Sequence, residues 1–550
     1  MILRIMNATR LSSHHLVVTP DDEVTAVSVA EPSSQFNFKS AKRGGKHHEI
    51  LDAADEVDYE ADRETALTAL TAEEEKRLIR KVDWRLVPLL CLLYLMKKID
   101  ENNASNARIM NKGTDANILT ELNITSDQYS LITILYTVPY ILAEVPSNLV
   151  LKWIRPSRWQ SRIMISWGIV TACTAAVSNL GGLYAVRFML GLTEAGMFPG
   201  VILHLTYWYR PDEIAVRLVW IFTVGNVSGI ISGLLAYGFH EMSGAGGFSS
   251  LRALSLSYSP SSSGFACLIV SWDELPQTPQ KLTINQVPGT SEWLTPKERA
   301  FLQARLPVAS PRSSEKDFDM TEVIKTLRDK RLWLFTLSWA LQTCGASGVK
   351  FYQPSIIANM GFSSIATAQI LNIPMSVLTI IIILTAGYVS DRAKFPLPLF
   401  PITSTIIVIA SYSVLVAYPN DIAVYIGMLI GNSFSIAWFP MMWSWRSQTV
   451  SGATGSAFAI GFVNSYGQIG DAVGPQMFQD KYEPRYRLPF ALAMALIAGC
   501  GLTNSYTWWV TRQTERDTRR HKRARLEAKR NNEAILDDII DHDLDGSRRD

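Results

Sequence analysis

The sequence predicts an all-α membrane protein of about twelve transmembrane helices arranged in two six-helix bundles. Hydrophobic residues make up 48% of the 550-residue chain, enough to cross a bilayer repeatedly. Charged residues are segregated into the two ends and a central block, leaving long apolar runs between them. Most runs reach the roughly 20 residues that a hydrocarbon core requires of a helix. They also lack the polar face that recurs every third or fourth residue in a soluble helix.

The runs lie at about 85–106, 127–151, 161–179, 182–208 and 215–239, with a weaker sixth near 250–271. The second set lies at 332–356, 366–389, 397–417, 421–444, 455–478 and 487–510. The expected organisation follows from them. A disordered cytoplasmic N-terminal tail (1–80) precedes a first six-helix bundle (81–272), whose sixth span is degenerate. A charged cytoplasmic central loop (273–331) leads to a second six-helix bundle (332–510) and a charged cytoplasmic tail (511–550). Thr71-Ala72-Glu73-Glu74-Glu75 has the shape of a capping box, so a short surface helix is expected to lead into the first span.

Basic residues set the orientation. Lys152, Arg155, Arg158 and Arg162 fill the loop between the second and third spans, and Arg210 and Arg217 flank the one between the fourth and fifth. Lys297, Arg299, Arg305, Lys325 and Arg328 lie in the central loop, Arg392 and Lys394 follow the eighth span, and Arg446 follows the tenth. These loops alternate along the chain, so the positive-inside rule places them and both termini in the cytoplasm. Arg108 and Lys112 in the first outer loop, and Lys481, Arg485 and Arg487 in the last, run against the bias without reversing it. After the last span, Arg512, Arg516, Arg519, Arg520, Lys522, Arg523 and Arg525 form a basic segment suited to anionic inner-leaflet lipid. No accompanying domain points to nucleic acid.

Other chemistries find little support. The five cysteines (Cys91, Cys173, Cys267, Cys344, Cys500) are dispersed, with neither disulfide nor metal spacing, and four lie in clear apolar runs as small hydrophobes do. Phosphate-binding loops, metalloprotease helices and nucleophile elbows do not occur, so neither an enzyme nor a cofactor or metal site is expected. Asn123-Ile-Thr125 forms a glycosylation sequon in the first predicted outer loop.

The spans carry ionisable residues. The fourth reads Arg187-Phe-Met-Leu-Gly191-Leu-Thr-Glu194-Ala-Gly196-Met-Phe-Pro199-Gly200. An Arg and a Glu in one membrane helix require partners or an aqueous cavity. Seven residues make two turns, about 10.5 Å, so the two face one way without having to form a tight pair. In the eleventh span, Asn464, Gln468 and Asp471 recur at i, i+4 and i+7, marking a polar face that looks into a cavity or onto a neighbouring helix. Gln342, Lys350, Tyr352 and Gln353 are weaker candidates in the seventh. Gly225, Gly229 and Gly233 in the fifth suggest close helix packing.

These strings resemble the anion:cation symporter family of the major facilitator superfamily, which includes fungal allantoate, nicotinate and vitamin permeases. The fourth-span string matches the family's R-F-x-x-G-x-x-E-A-G-x-F-P-G motif at every fixed position. Glu144-Val145-Pro146-Ser147-Asn148, Trp208-Tyr209-Arg210-Pro211, Gly387-Tyr-Val-Ser-Asp391-Arg392 and Gly474-Pro475 are similar to further family motifs. The likeness covers about residues 80–510, with a gap at 245–275.

The resemblance implies a major facilitator fold and a monomeric carrier. It implies import of a small organic anion or vitamin-like carboxylate by proton symport and alternating access, with the plasma membrane as the expected location. It offers Arg187, Asn103, Asn106, Lys97, Asn464 and Gln468 for the substrate, Glu194 and Asp100 for the proton, and Asp391 and Arg392 for the cytoplasmic gating turn. The first span departs from the pattern. It reads Asp100-Glu101-Asn102-Asn103-Ala-Ser-Asn106-Ala-Arg108, with Glu101 where the family's substrate-binding Arg is usual. Lys97 and Lys98 partly redress the charge, and Lys97 lies four residues before Glu101 on nearly the same helix face, placed to neutralise it. The competing expectation is a nutrient sensor or inactive relative that binds without transporting.

The sixth span fits least well. Residues 249–263 contain eight serines together with Arg252 and Pro260, a composition unfavourable for independent insertion. Family-like sequence resumes at Pro276-Gln-Thr-Pro279 and at Trp293-Leu294-Thr295. Two explanations stand: a shifted reading frame or misassigned intron, or a genuine but marginal helix. A topology test follows from the basic loops. In a cysteine-free background, cysteines at Arg155 and Arg305 are expected to resist an impermeant thiol reagent applied to intact cells, and labelling of both from outside would reverse the orientation.

Overall fold

The computed structural model describes residues 66–67, 69–109, 117–154, 156–241, 294–306, 320–359, 370–449, 453–478, 480–482 and 485–530. The expected sixth span, the serine-rich stretch, Arg155, Cys267, most of the N-terminal tail and the last twenty residues lie outside them. The described residues form helices joined by turns. In the first half these are α1 (Ala72–Ile109), α2 (Ser126–Ile154), α3 (Pro156–Cys173), α4 (Leu180–Glu194), α5 (Met197–Thr206) and α6 (Pro211–Glu241). Two short helices, α7 (Pro296–Ala304) and α8 (Met320–Arg328), stand between the halves. The second half has α9 (Lys330–Asn359), α10 (Ile373–Asp391), α11 (Leu399–Ala417), α12 (Asp421–Ser447), α13 (Ala453–Gly467), α14 (Ile469–Val473) and α15 (Arg487–Arg530).

Seven stretches are long and apolar enough to cross a membrane by themselves: in α2, in α4 with α5, and in α6, α10, α11, α12 and α15. Among the others, α1 and α9 carry charged groups that pair with neighbouring helices, as Lys97, Glu101 and Lys350 illustrate below. Inside each half, α1 packs along α6 and α2 along α4, while α11 lies between α12 and α15 and α9 packs on α15. The halves meet along two seams, α2 against α13 and α14, and α6 against α10 and α12. Glycines of α6 permit close approach: the Tyr94 ring of α1 lies directly over Gly225 within the first half, and the Ser376 side chain of α10 lies over Gly229 across the halves.

Local chemistry explains the helix ends. The Thr71 hydroxyl accepts from the Glu74 N–H, and the Thr71 N–H donates to the Glu74 carboxylate at 2.9 Å, closing the expected capping box. These bonds hold the Glu74 carboxyl below its usual value, the backbone N–H contributing most. The helix they start does not stop at the surface, because α1 runs 38 residues without a break into the first span. Thr295 and Glu298 form a second capping box on α7, with Pro296 in its first turn, where the missing N–H is no loss. Asn179 and Asn420 cap α4 and α12 through side-chain oxygens that accept from Gly182 and Ala423.

Three features depart from the sequence reading. The fourth span is broken between α4 and α5 at Ala195-Gly196, where Gly196 has φ +86°. Its Cα sits against Ser147, whose Oγ donates to the Ala195 carbonyl at 2.8 Å. The last helix does not end near 510 but spans 44 residues to Arg530. At 1.5 Å per residue that is about 66 Å, roughly twice a hydrocarbon core. Helix-favouring Arg, Lys, Glu and Ala, with a Glu515–Arg519 pair at 3.4 Å, carry it onward. There Lys522 pairs with Asp391 at 3.0 Å, and Arg523 donates to the carbonyls of Ala393 and Lys394. The third departure is Arg305, a basic-loop residue with 0% exposure, held by Glu75 at 3.4 Å and by Glu213. A cysteine there would be shielded on either side of a membrane, so exposed Lys297 is the better reporter for the labelling test.

Gly196 supplies a prediction. A left-handed backbone costs an L-residue about 1–2 kcal/mol, and a Cβ would also meet the Ser147 side chain. Gly196→Ala should lower the melting temperature of detergent-solubilised protein, whereas Gly238→Ala, with nothing within 4 Å, should not. Equal melting of the two variants would contradict the strained turn.

Candidate functional site

A cavity of about 170 Å³ lies between the two halves. Its first wall is one face of α1, where Lys97, Lys98, Glu101, Asn102, Ser105 and Asn106 recur at helical spacing. Its opposite wall is the matching face of α9, with Trp339, Thr343, Ala346, Ser347 and Lys350. Asn464, Gln468 and Asp471 add a third side, so the polar stripe of the eleventh span faces the cavity. Phe198, Phe222, Phe439 and Trp443 supply aromatic surface. Trp339 meets Trp438 and Trp443 edge-on at 5.2 and 4.9 Å, packing that holds those rings in place.

The charges are paired in a pattern that sequence spacing alone does not select. Lys97 lies 3.0 Å from Glu194 across the α1–α4 contact and donates to the Tyr140 hydroxyl at 3.4 Å. Glu101 is held by Lys98 at 2.5 Å and by Lys350 at 2.6 Å. Lys97 therefore neutralises Glu194 rather than Glu101, because tertiary packing brings α4 closer to it than its own helical neighbour. Both Lys97 and Glu194 are buried, and removing one partner from such a pair typically costs about 3–5 kcal/mol.

The remaining candidates divide between the cavity and its surroundings. Asn106, Asn464 and Gln468 line the cavity with Lys97. Arg187 and Asn103 are not among its lining residues, and each has a buried polar atom, Nε and Oδ1 respectively, without a hydrogen-bond partner. Arg187 does not pair with Glu194. Its charge acts instead on Asp100 and Tyr129. Asp100 accepts from the Trp167 indole at 3.1 Å, behind the cavity wall. Asp391 and Arg392 lie at the far end of α10. Asp391 is bound to Lys522, and the Arg392 guanidinium stacks 4.3 Å over the Tyr388 ring.

Contacts between the halves lie at both ends of the cavity. Toward the predicted outer end, the Ser130 and Tyr352 hydroxyls share a 2.6 Å hydrogen bond, and Gln476 donates to the Ser130 carbonyl at 2.8 Å. The Arg108 guanidinium covers the same Tyr352 ring at 4.0 Å. Toward the inner end, fully buried Glu144 accepts from the Ser465 hydroxyl at 2.7 Å and from the Asn464 amide. Phe198 meets Trp443 edge-on across the halves at 5.6 Å.

Glu144 and Ser130 are not among the site residues expected from the sequence, and Lys350 is there only as a weaker candidate. For Glu144 and Lys350 a signal existed, an ionisable residue within an apolar run. For Ser130 none did, since an isolated serine in a membrane helix ordinarily bonds its own backbone, as Ser130 also does to the Ser126 carbonyl.

Comparison with known proteins adds four findings. A model of the Major Facilitator Superfamily matches residues 113–475, well over half of the chain. The MFS-type transporter cnsO of Penicillium expansum is 27% identical over 447 residues, covering 80% of this chain and 84% of that protein. The MFS transporter prlL of a fungal species is 31% identical over 325 residues, covering 59% of this chain and 63% of the relative. Among solved structures, the proton:xylose symporter XylE bound to 6-bromo-6-deoxy-D-glucose superposes with a TM-score of 0.55 at 13% identity, over 76% of this chain and 94% of that one. At that identity the likeness is one of fold.

The outer closure yields a prediction. Tyr352→Phe removes the hydroxyl bonded to Ser130, worth about 1 kcal/mol, or roughly fivefold in an equilibrium. Outside reactivity of a cysteine placed at cavity-lining Ser105 should rise by about that factor in the Tyr352→Phe background. Unchanged reactivity would mean that the hydroxyl pair does not hold the outer end shut.

Proposed function

The chain belongs to the Major Facilitator Superfamily of membrane transporters, and from that premise we propose that it imports a small organic anion or vitamin-like carboxylate by proton symport. The observation that carries the reading is the inter-half cavity with three lysines, Lys97, Lys98 and Lys350, on its walls. An anion entering it meets cations on both halves, amides from Asn106, Asn464 and Gln468, and aromatic rings for an apolar body. Contacts above and below the cavity suit alternating access, in which one set opens while the other stays closed.

Proton coupling is assigned to Glu194, with Asp100 as its neighbour behind α1. Glu194 holds Lys97 while ionised. A proton on Glu194 removes that negative charge and releases Lys97, which already lines the cavity, to a substrate carboxylate. Proton and anion then favour each other's binding, the requirement for symport. Arg187, Asn103 and Asn106 shape the ground behind and beside this pair, while Asp391, Arg392 and the C-terminal helix control the cytoplasmic end of α10. The protein is proposed to act as a monomer in the plasma membrane, with the basic residues of α15 that face away from the α10–α11 turn on anionic inner-leaflet lipid.

Coupling to protons makes uptake rise at acidic external pH, and a protonophore abolishes accumulation. The test is an uptake screen of labelled carboxylates and vitamins in transport-deficient cells. In it, Glu194→Gln should equilibrate substrate without concentrating it while retaining exchange. Concentrative uptake by that variant would remove Glu194 from the coupling step, and binding with no uptake by the wild type would favour a sensor.

A further inference from the structure

Glu101 occupies the position at which the family resemblance leads one to expect an arginine, and its two partners differ in kind. Lys98 is three residues away on the same helix, so their 2.5 Å contact survives any rigid movement of α1. Lys350 belongs to α9 in the other half, so their 2.6 Å contact exists only while the halves are closed together. All three side chains line the cavity, and none is fully buried, with side-chain exposures of 26% for Lys98, 41% for Glu101 and 33% for Lys350. The other charges on these walls are engaged elsewhere: Lys97 with Glu194, and Asp471 as acceptor from the Ser347 hydroxyl. When α1 and α9 part, Glu101 keeps Lys98 as its counter-ion and Lys350 loses its only ion-pair partner among the described residues. A cation in a low-dielectric cavity must then find another anion.

We propose that Lys350 is the carboxylate-binding cation of the cavity and Glu101 its built-in resting partner, which the carboxylate of a singly charged substrate replaces. The inference deepens the proposed transport of an organic anion and rests on that reading. It adds the charge class. One cation is vacated and one negative charge is accommodated, while a second carboxylate would face Glu101 and Asp471 and be repelled. Trp339 and Trp443, with Phe198, Phe222 and Phe439, give the rest of the ligand a planar apolar surface, so the class is a monocarboxylate on a flat apolar body. Glu101 also explains how the empty carrier tolerates Lys350, because the pair across α1 and α9 neutralises it.

The test is ligand binding by the purified full-length protein, read from tryptophan fluorescence, since Trp339 and Trp443 line the cavity. Benzoate is the monocarboxylate probe and phthalate the dicarboxylate. Glu101→Gln removes the competitor and should tighten benzoate binding about tenfold, a gain that misfolding would not produce. The same variant should narrow the preference for benzoate over phthalate, because two lysines are then uncompensated. Lys350→Gln should abolish benzoate binding. The proposal is overturned if Glu101→Gln binds benzoate no more tightly than the wild type, or if Lys350→Gln keeps wild-type affinity. A bridge that only braces the helices would weaken binding in both variants alike. Failure of both probes to bind wild type and Glu101→Gln would overturn the carboxylate reading together with this one. Wild-type binding with no gain in Glu101→Gln would overturn this one alone.

Discussion

A charge inside a membrane protein persists only with a partner, and most of the cavity's architecture follows from that constraint. Transferring an isolated ammonium or carboxylate into a low-dielectric interior is prohibitive, so such groups appear in pairs or beside water. Lys97 and Glu194 tie α1 to α4 within one half, while Glu101 and Lys350 tie α1 to α9 across the halves. The first pair is buried and the second partly exposed, so the two respond differently to movement. Relative motion of the halves leaves the Lys97–Glu194 contact intact and breaks Glu101–Lys350. One helix, α1, thus carries both a fixed charge pair and a conditional one, about a turn apart.

The inter-half seams supply the corresponding mechanics. Hydroxyls, amides and one carboxylate make the polar contacts there: Ser130 with Tyr352, and Glu144 with Ser465 and Asn464. Such bonds contribute about 1 kcal/mol each, and apolar contacts lie beside them, as Phe198 with Trp443 and Gly387 with Val219. Asn464 serves twice, lining the cavity and bonding Glu144, so ligand contact and inner closure meet in one side chain.

At the end of the bundles where α7 and α15 pack, the contacts are ionic and longer in range along the chain. Arg305 at the end of α7 reaches Glu75 of α1 and Glu213 of α6, Arg217 is paired with Asp83 at 2.8 Å, and Lys522 of α15 reaches Asp391 of α10. Segments outside the spans are thereby anchored to the helix ends that any rocking of the halves must move. The basic residues of these segments serve packing, which explains why a loop arginine is completely buried.

Hydropathy and charge determined the coarse answer by themselves, because apolar length and basic-loop asymmetry are properties of the chain before it folds. The spans in α2, α6, α10, α11 and α12, the capping box at Thr71, and the polar face of Asn464, Gln468 and Asp471 were all legible for that reason. Helix continuity was less so. The break at Gly196 depends on a left-handed turn against Ser147, and the extension of α15 on docking with the α10–α11 turn. Pair identity was not legible at all. Spacing made Glu101 the natural partner of Lys97, and only the approach of α4 gave Lys97 to Glu194 and left Glu101 to Lys350, 249 residues away in sequence. Helical periodicity says which residues share a face, and only the packing of the helices decides which faces meet.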